Sequence, residues 1–283
     1  MASRTKSSVL WNVLFWILAI IITLFAAHYQ RTTGPTYPIE GTVTFAGTKI
    51  PYNLPRSHGG TGDQPVEVQV PDTSVVGILE YRLYPTNESW SSEELVRMRE
   101  KLVGALPHQP PAGKLEYRII LEKGDSQISI PPKEAAIIRF KGSVPLAVLI
   151  PHIFFMFLTM LLSTRAGLEA LFNPGGNLKA YTYWTIGLLI IGGFILGPLV
   201  QKFAFGALWT GIPFGWDLTD NKTLIALVGW LIALVAVLKK GQNARWWVVF
   251  ASIIMIAVFL IPHSMHGSEL KYDSAGHVIS NHP

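Results

Sequence analysis

The chain has 283 residues, of which 49% are hydrophobic and only 14% are charged, with a formal net charge of +5. Soluble domains carry about 25% charged residues, so the composition excludes an ordinary water-soluble protein. The small positive excess requires no nucleic-acid partner, because basic residues belong at the cytoplasmic loops of membrane proteins. The chain contains no cysteine, which excludes disulfides, thiolate-held clusters and cysteine nucleophiles and leaves His, Met and carboxylates as metal ligands.

In chain order, residues 9–27 form the first apolar run, preceded by Arg4 and Lys6. The run exceeds the ~7–15 residues of a signal-peptide core and reads as a retained anchor. Residues 34–143 differ in composition. "YPIEGTVTF", "VEVQV", "GILEYRLY", "KLEYRIIL" and "SQISI" alternate apolar and polar side chains, the period of half-buried strands. Lys123-Gly124-Asp125 between two such runs is a hairpin signal. This region is expected to be an antiparallel β-sandwich, loosely immunoglobulin-like. Within it, "SSEELVRMREKL" (residues 91–102) fits a short helix capped by Ser91 or Ser92, or else a strand-linking excursion. His58 and His108 fall in loops and read as surface histidines.

Four more apolar runs follow, at residues 144–163, 182–201, 223–238 and 246–262, each measured against the ~20 residues that a spanning helix needs. The fold expected is therefore an integral membrane bundle of five transmembrane helices with an inserted outer-face sandwich. The expected parts are an anchor (1–33), the β-domain (34–143), a four-helix membrane domain (144–262) with a Trp-rich outer loop (203–222), and a tail (263–283). Arg4, Lys6, Arg165, Lys179, Lys239, Lys240 and Arg245 all fall on one side if the N-terminus is inside. The expected location is a bacterial inner membrane, N-terminus inside and C-terminus outside.

That topology gathers several chemical groups at the outer face. His152 lies eight residues into the second span, roughly 12 Å deep at 1.5 Å per residue. His263 and His266 follow the last span, His28 follows the first, and "WTGIPFGWD" joins the third to the fourth. An ionisable side chain inside a span usually faces a cavity or a partner. The bland alternative for His152 is a helix–helix hydrogen bond to a backbone carbonyl. Two histidines from different helices can also approach one metal, since neutral imidazole ligates haem iron, copper and zinc. Lys202, Lys222 and Arg31 are placed to meet the carboxylates of such a ligand. Asp217 or Asp220 is positioned to cap the fourth span.

"FGALWTGIPFGWDLTDNKTLIALVGWLI" resembles the tryptophan-rich signature of the WWD-domain haem-handling proteins of cytochrome c biogenesis. The matching residues include Trp209, Gly215, Trp216, Asp217, Lys222, Thr223 and Trp230. "PHIFFMFLTMLLS" is similar to that family's histidine-bearing helix, and "IPHSMHGSEL" to its histidine segment one helix after the signature. The resemblance implies that His152 and His263 are axial haem ligands, with His266 as an alternative to His263. It implies a roof of Trp209, Gly215, Trp216 and Asp217.

Three expectations follow. The first is a haem-binding or haem-handling membrane protein that presents haem to a protein partner through its β-domain. The second is an outer-face copper or zinc site built from His263, His266, Asp217, Asp220 and His28. The third is a non-catalytic accessory subunit of a larger membrane (respiratory) complex. No nucleophile–base pair stands out, so an enzyme is not the expectation.

Overall fold

The structure is a computed structural model that describes residues 2–173, 176–263, 265, 267, 270–272 and 278–280. It comprises two compact units. One is Met1–Gly34, Val144–Lys202 and Leu208–Gly267; the other is Pro35–Ser143, Phe203–Ala207 and Ser268–Pro283.

The first unit is helical, built from α1 (Ala2–Thr32), α2 (Leu146–Phe172), α3 (Leu178–Leu189), α4 (Gly197–Phe205), α5 (Leu218–Lys240) and α6 (Arg245–Leu260). Among the described residues, four helical stretches are long and apolar enough to cross a membrane: Val9–Thr32, Leu146–Phe172, Leu178–Phe205 and Leu218–Leu260. The last stretch is folded in two. Gly241 takes a left-handed φ of 54°, and a 3-10 turn over Gly241–Ala244 leads from α5 into α6. Lys222, near the start of α5, donates to the Ile261 carbonyl just past the end of α6 at 2.6 Å, so the two helices run antiparallel.

The third stretch is interrupted. Between α3 and α4, Ile190–Leu196 winds as a π-helix. Pro198 lies directly beyond it and has no N–H to continue the ladder. Gly192 and Gly193 let the widened turn pack closely on its neighbours. A Cβ on Gly192 would come within 2.9 Å of Met156 Sδ, and one on Gly193 within 2.8 Å of Thr223 Cγ2.

Small residues bring the helices together, as is usual where lipid supplies no hydrophobic drive. Ala166, Ala226, Ala233 and Ala251 are buried beside Trp230, Met160 and Met255. Gly167 leaves room for Ser252, which donates to the Ser163 carbonyl at 2.9 Å. At one end of α2 the buried Arg165 pairs with Glu169 and donates to Asn12 at 2.7 Å. The rings of Phe15, Trp16 and Tyr181 surround its guanidinium at 5.1–5.5 Å. A charge buried in a membrane bundle persists only when paired in this way.

The second unit is β-rich. Its strands are β1 (Ile39–Phe45), β2 (Thr48–Leu54), β3 (Ser57–Gly59), β4 (Gln64–Gln69), β5 (Val76–Leu83), β6 (Ser91–Glu94), β7 (Val96–Met98), β8 (Lys101–Leu106), β9 (Lys114–Lys123), β10 (Ser126–Ile130) and β11 (Ala136–Lys141). β1 and β2 form a hairpin. A larger sheet runs β3-β11-β9-β5-β6 with β10 also on β9, and β4-β8-β7 form a third sheet. Two further short strands, β12 (Lys271–Tyr272) and β13 (Val278–Ser280), pair with each other. The alternation expected in β9 is present: Leu115, Tyr117, Ile119 and Leu121 face the core. Each such burial contributes roughly 1.5–3 kcal/mol. The β9–β10 hairpin turns at Gly124 (φ 55°) and Asp125.

Two expectations need correction. Pairing is not wholly antiparallel, because β3 runs parallel to β11 with Ser57 opposite Arg139. Residues 91–102 contain no helix. They supply β6 to one sheet and β7 to another, and Leu95 between them is buried with its N–H on the Gly77 carbonyl at 2.7 Å. Edge pairing in two sheets outweighs the helix propensity of that segment.

A candidate ligand cavity in the helical unit

The π-turn at Ile190–Leu196 begins the site. His152 follows Pro151 in the second turn of α2, and its Nδ1 lies 2.9 Å from the Gly192 carbonyl of the π-turn. A carbonyl only accepts, so Nδ1 carries the proton and Nε2 keeps a free lone pair. This is the bland helix–helix bond anticipated for His152. It is also the arrangement in which a metal-ligating histidine is fixed by its second nitrogen.

His263 reaches the same place by another route. Pro262 disfavours helix at the residue before it, and Ile261 is accordingly extended (φ −72°, ψ 120°). That leaves the last carbonyls of α6 without helical partners. Gln30 of α1 donates to Phe259 O at 2.6 Å and Ile261 O at 3.1 Å, and Lys222 of α5 donates to Ile261 O. The segment carrying His263 is thus pinned to α1 and α5.

His152 and His263 both line one cavity of about 280 Å³. Thr23, Gln30, Arg31, Lys222 and Thr223 supply the rest of its polar wall, and Ile153, Met156, Phe157 and Phe259 much of its apolar wall. The volume falls just below the ~300–1,000 Å³ of small-molecule sites. Ile153 and Phe157 also reach the outer surface of the bundle, at 46% and 41% exposure. His263 is exposed and lines the cavity. Desolvation by neighbouring protein, reinforced by the charge of Lys222, pushes its pKa down to about 3. The imidazole is therefore neutral, the form that ligates metals.

The other expected site residues are elsewhere. Trp209 stacks on Phe194 of the π-turn with centroids 5.6 Å apart, and its Nε1 donates to Ile212 O at 3.1 Å. Gly215 donates its N–H to Gly211 O within the loop. Trp216 is 80% exposed. None of the three lines the cavity. Asp217 is the N-cap of α5, accepting from the N–H groups of Thr219 and Asp220. Asp220 accepts from Thr210 N at 2.6 Å and Gly211 N at 3.0 Å. Both aspartates hold the loop. Among the described residues no group of three His, Cys, Asp or Glu could hold a metal ion. His28 is exposed, and His266 lies outside the described residues. Lys202 does not line the cavity, whereas Arg31 and Lys222 do.

Reasoning from sequence missed Gln30, Met156 and the Gly192 carbonyl. Gln30 was legible as an amide at the end of an apolar run, and Gly192-Gly193 as a paired glycine inside one. No family model matches the chain, and no curated protein matches it.

Proposed function

We propose that this chain is a haem-binding or haem-handling membrane protein, and that its cavity holds haem between His152 and His263. The observation that carries the reading is the convergence of these two histidines, from α2 and from the end of α6, on one cavity that Arg31 and Lys222 also line. The donor set fits the group. His152 is held by Gly192 in the tautomer that leaves Nε2 available, and His263 is neutral. Two neutral imidazoles suit haem iron, the apolar wall suits a macrocycle, and the two cations suit its carboxylates. When bound, haem would supply an iron centre able to change oxidation state. The protein's own contribution is to fix two imidazoles, neutralise carboxylates and keep the apolar wall dry.

The wider reading has five membrane spans, counting α5 and α6 separately, and an N-terminus inside. The histidine cavity then faces outward, and the extracytoplasmic β-sandwich serves as the docking module for a protein partner. The resemblance of the landmark segments to WWD-domain proteins supports this, as does the clustering of Lys and Arg at alternate loops.

A reduced-minus-oxidised visible spectrum of protein purified in mild detergent tests the proposal. Sharp haem bands, lost in His152→Ala and in His263→Ala, are expected. A protein that is colourless and takes up no added haem defeats the reading. Stoichiometric copper or zinc in place of haem would favour the metal-site alternative.

A further inference from the structure

The loop between α4 and α5 turns its polar groups inward. Asp220 accepts from Thr210 N and Gly211 N, Asn221 accepts from Ile212 N at 2.8 Å, and Gln201 donates to Thr210 at 2.6 Å. Its large apolar side chains face out. Leu208, Ile212, Phe214 and Trp216 are 48%, 45%, 77% and 80% exposed. Contiguous apolar surface of this kind, held rigid, marks an interaction site.

Three observations identify what covers it. From Phe203 to Trp216 the sequence carries no charged residue, so the loop lacks the charged rim expected of a surface that meets a soluble protein. The helical stretch Leu178–Phe205 that leads into it has 28 residues, about 42 Å at 1.5 Å per residue. A bilayer is ~30 Å thick in its hydrocarbon and ~40–45 Å with its headgroups, so the end of this stretch lies at the headgroup layer, where tryptophan concentrates. The helical segments on either side of the loop also carry exposed apolar side chains, Ile195 before it and Ile225 after it, at 52% and 56% exposure.

We infer that residues 208–216 form a membrane-seating loop. Phe214 and Trp216 insert into the boundary between headgroups and acyl chains and fix the depth at which the helical unit sits. Trp209, Asp220 and Asn221 hold the loop in shape for this insertion. The inference rests on the membrane-spanning reading of the helices and is independent of what the cavity binds.

The chain has no cysteine, so single nitroxide labels can be placed without background. In full-length protein reconstituted into phosphatidylethanolamine–phosphatidylglycerol vesicles, Phe214→Cys and Trp216→Cys are labelled separately. Collision of each label with oxygen, which partitions into lipid, is compared with collision with a water-soluble nickel chelate. Ile225→Cys is the lipid-facing control and Ser126→Cys, on the exposed start of β10, the aqueous one. The oxygen-to-nickel ratio at 214 and 216 is expected to exceed that at 126 several-fold and to approach that at 225. A ratio at both positions equal to that at 126 overturns the inference. Labels shielded from both reagents also overturn it, and would show that protein covers the loop.

Discussion

The tautomer of His152 depends on a single backbone oxygen. Gly192 offers that oxygen only because it has no Cβ; a methyl there would meet Met156 Sδ at 2.9 Å, Phe155 Cβ at 3.1 Å and Met156 N at 3.2 Å. Gly192→Ala is expected to cost about 1–3 kcal/mol through overpacking and to weaken haem uptake with both histidines intact. Thermal unfolding and haem titration on the same preparation check both effects. Asp220 has a structural part of comparable weight. Asp220→Ala leaves the N–H groups of Thr210 and Gly211 without their acceptor in a buried turn, at ~1–3 kcal/mol for each orphaned amide. The expected sign is earlier proteolysis within the loop and a lower melting temperature, with haem uptake retained. His263 gives a pH signature. Its pKa is lowered from 6.5 to about 3 in the folded protein, so the unfolded chain binds a proton there first as pH falls. The related stability is complete above pH 6.5, declines as pH falls, and is gone below about 3. The difference in melting temperature between the wild type and His263→Ala should therefore change across that window. A constant difference would contradict the lowered pKa of this ring.

Among the elements, those with a simple period were legible. The alternation in β9 and the Gly124 turn could be read directly because one face of a half-buried strand must be apolar. Residues 91–102 could not, since Leu95, Met98 and Leu102 sit at spacings that suit a helix as well as two edge strands. Only their pairing with β5 and β8 decides between these. The π-turn at Ile190–Leu196 was equally hidden, because its consequence is a hydrogen bond to a residue 40 positions away. The β-unit contains a further device of this non-local kind. The guanidinium groups of Arg82 and Arg118 both lie over the Trp90 ring, 4.5 and 4.6 Å from its centroid. Those two arginines are themselves paired with Glu116 and Glu80 across β5 and β9. At ~0.5–1 kcal/mol for each exposed cation–π contact, Trp90→Ala should destabilise the β-unit by about 1–2 kcal/mol. Denaturant unfolding followed by circular dichroism would register it as a lower midpoint.

For the whole molecule, the low share of charged residues, 14%, pointed to a membrane protein, and four helical stretches among the described residues are long and apolar enough to cross a membrane. The boundary between helical and β-rich sequence was legible for the same reason. The meeting of His152 with His263 rests on topology, since two histidines 111 positions apart in sequence (263 − 152) are joined only by the packing of α2, α5 and α6. The tryptophans show the limit of composition. Interfacial and ligand-facing tryptophan look the same in sequence, and the structure turns Trp216 outward and stacks Trp209 on Phe194. The central claim is that the cavity holds haem by two imidazoles. Electron paramagnetic resonance of the ferric haem-loaded protein tests it most directly. The account predicts a low-spin, bis-imidazole signal in the wild type that becomes high-spin or disappears in both His152→Ala and His263→Ala. A signal left unchanged by both substitutions would contradict it.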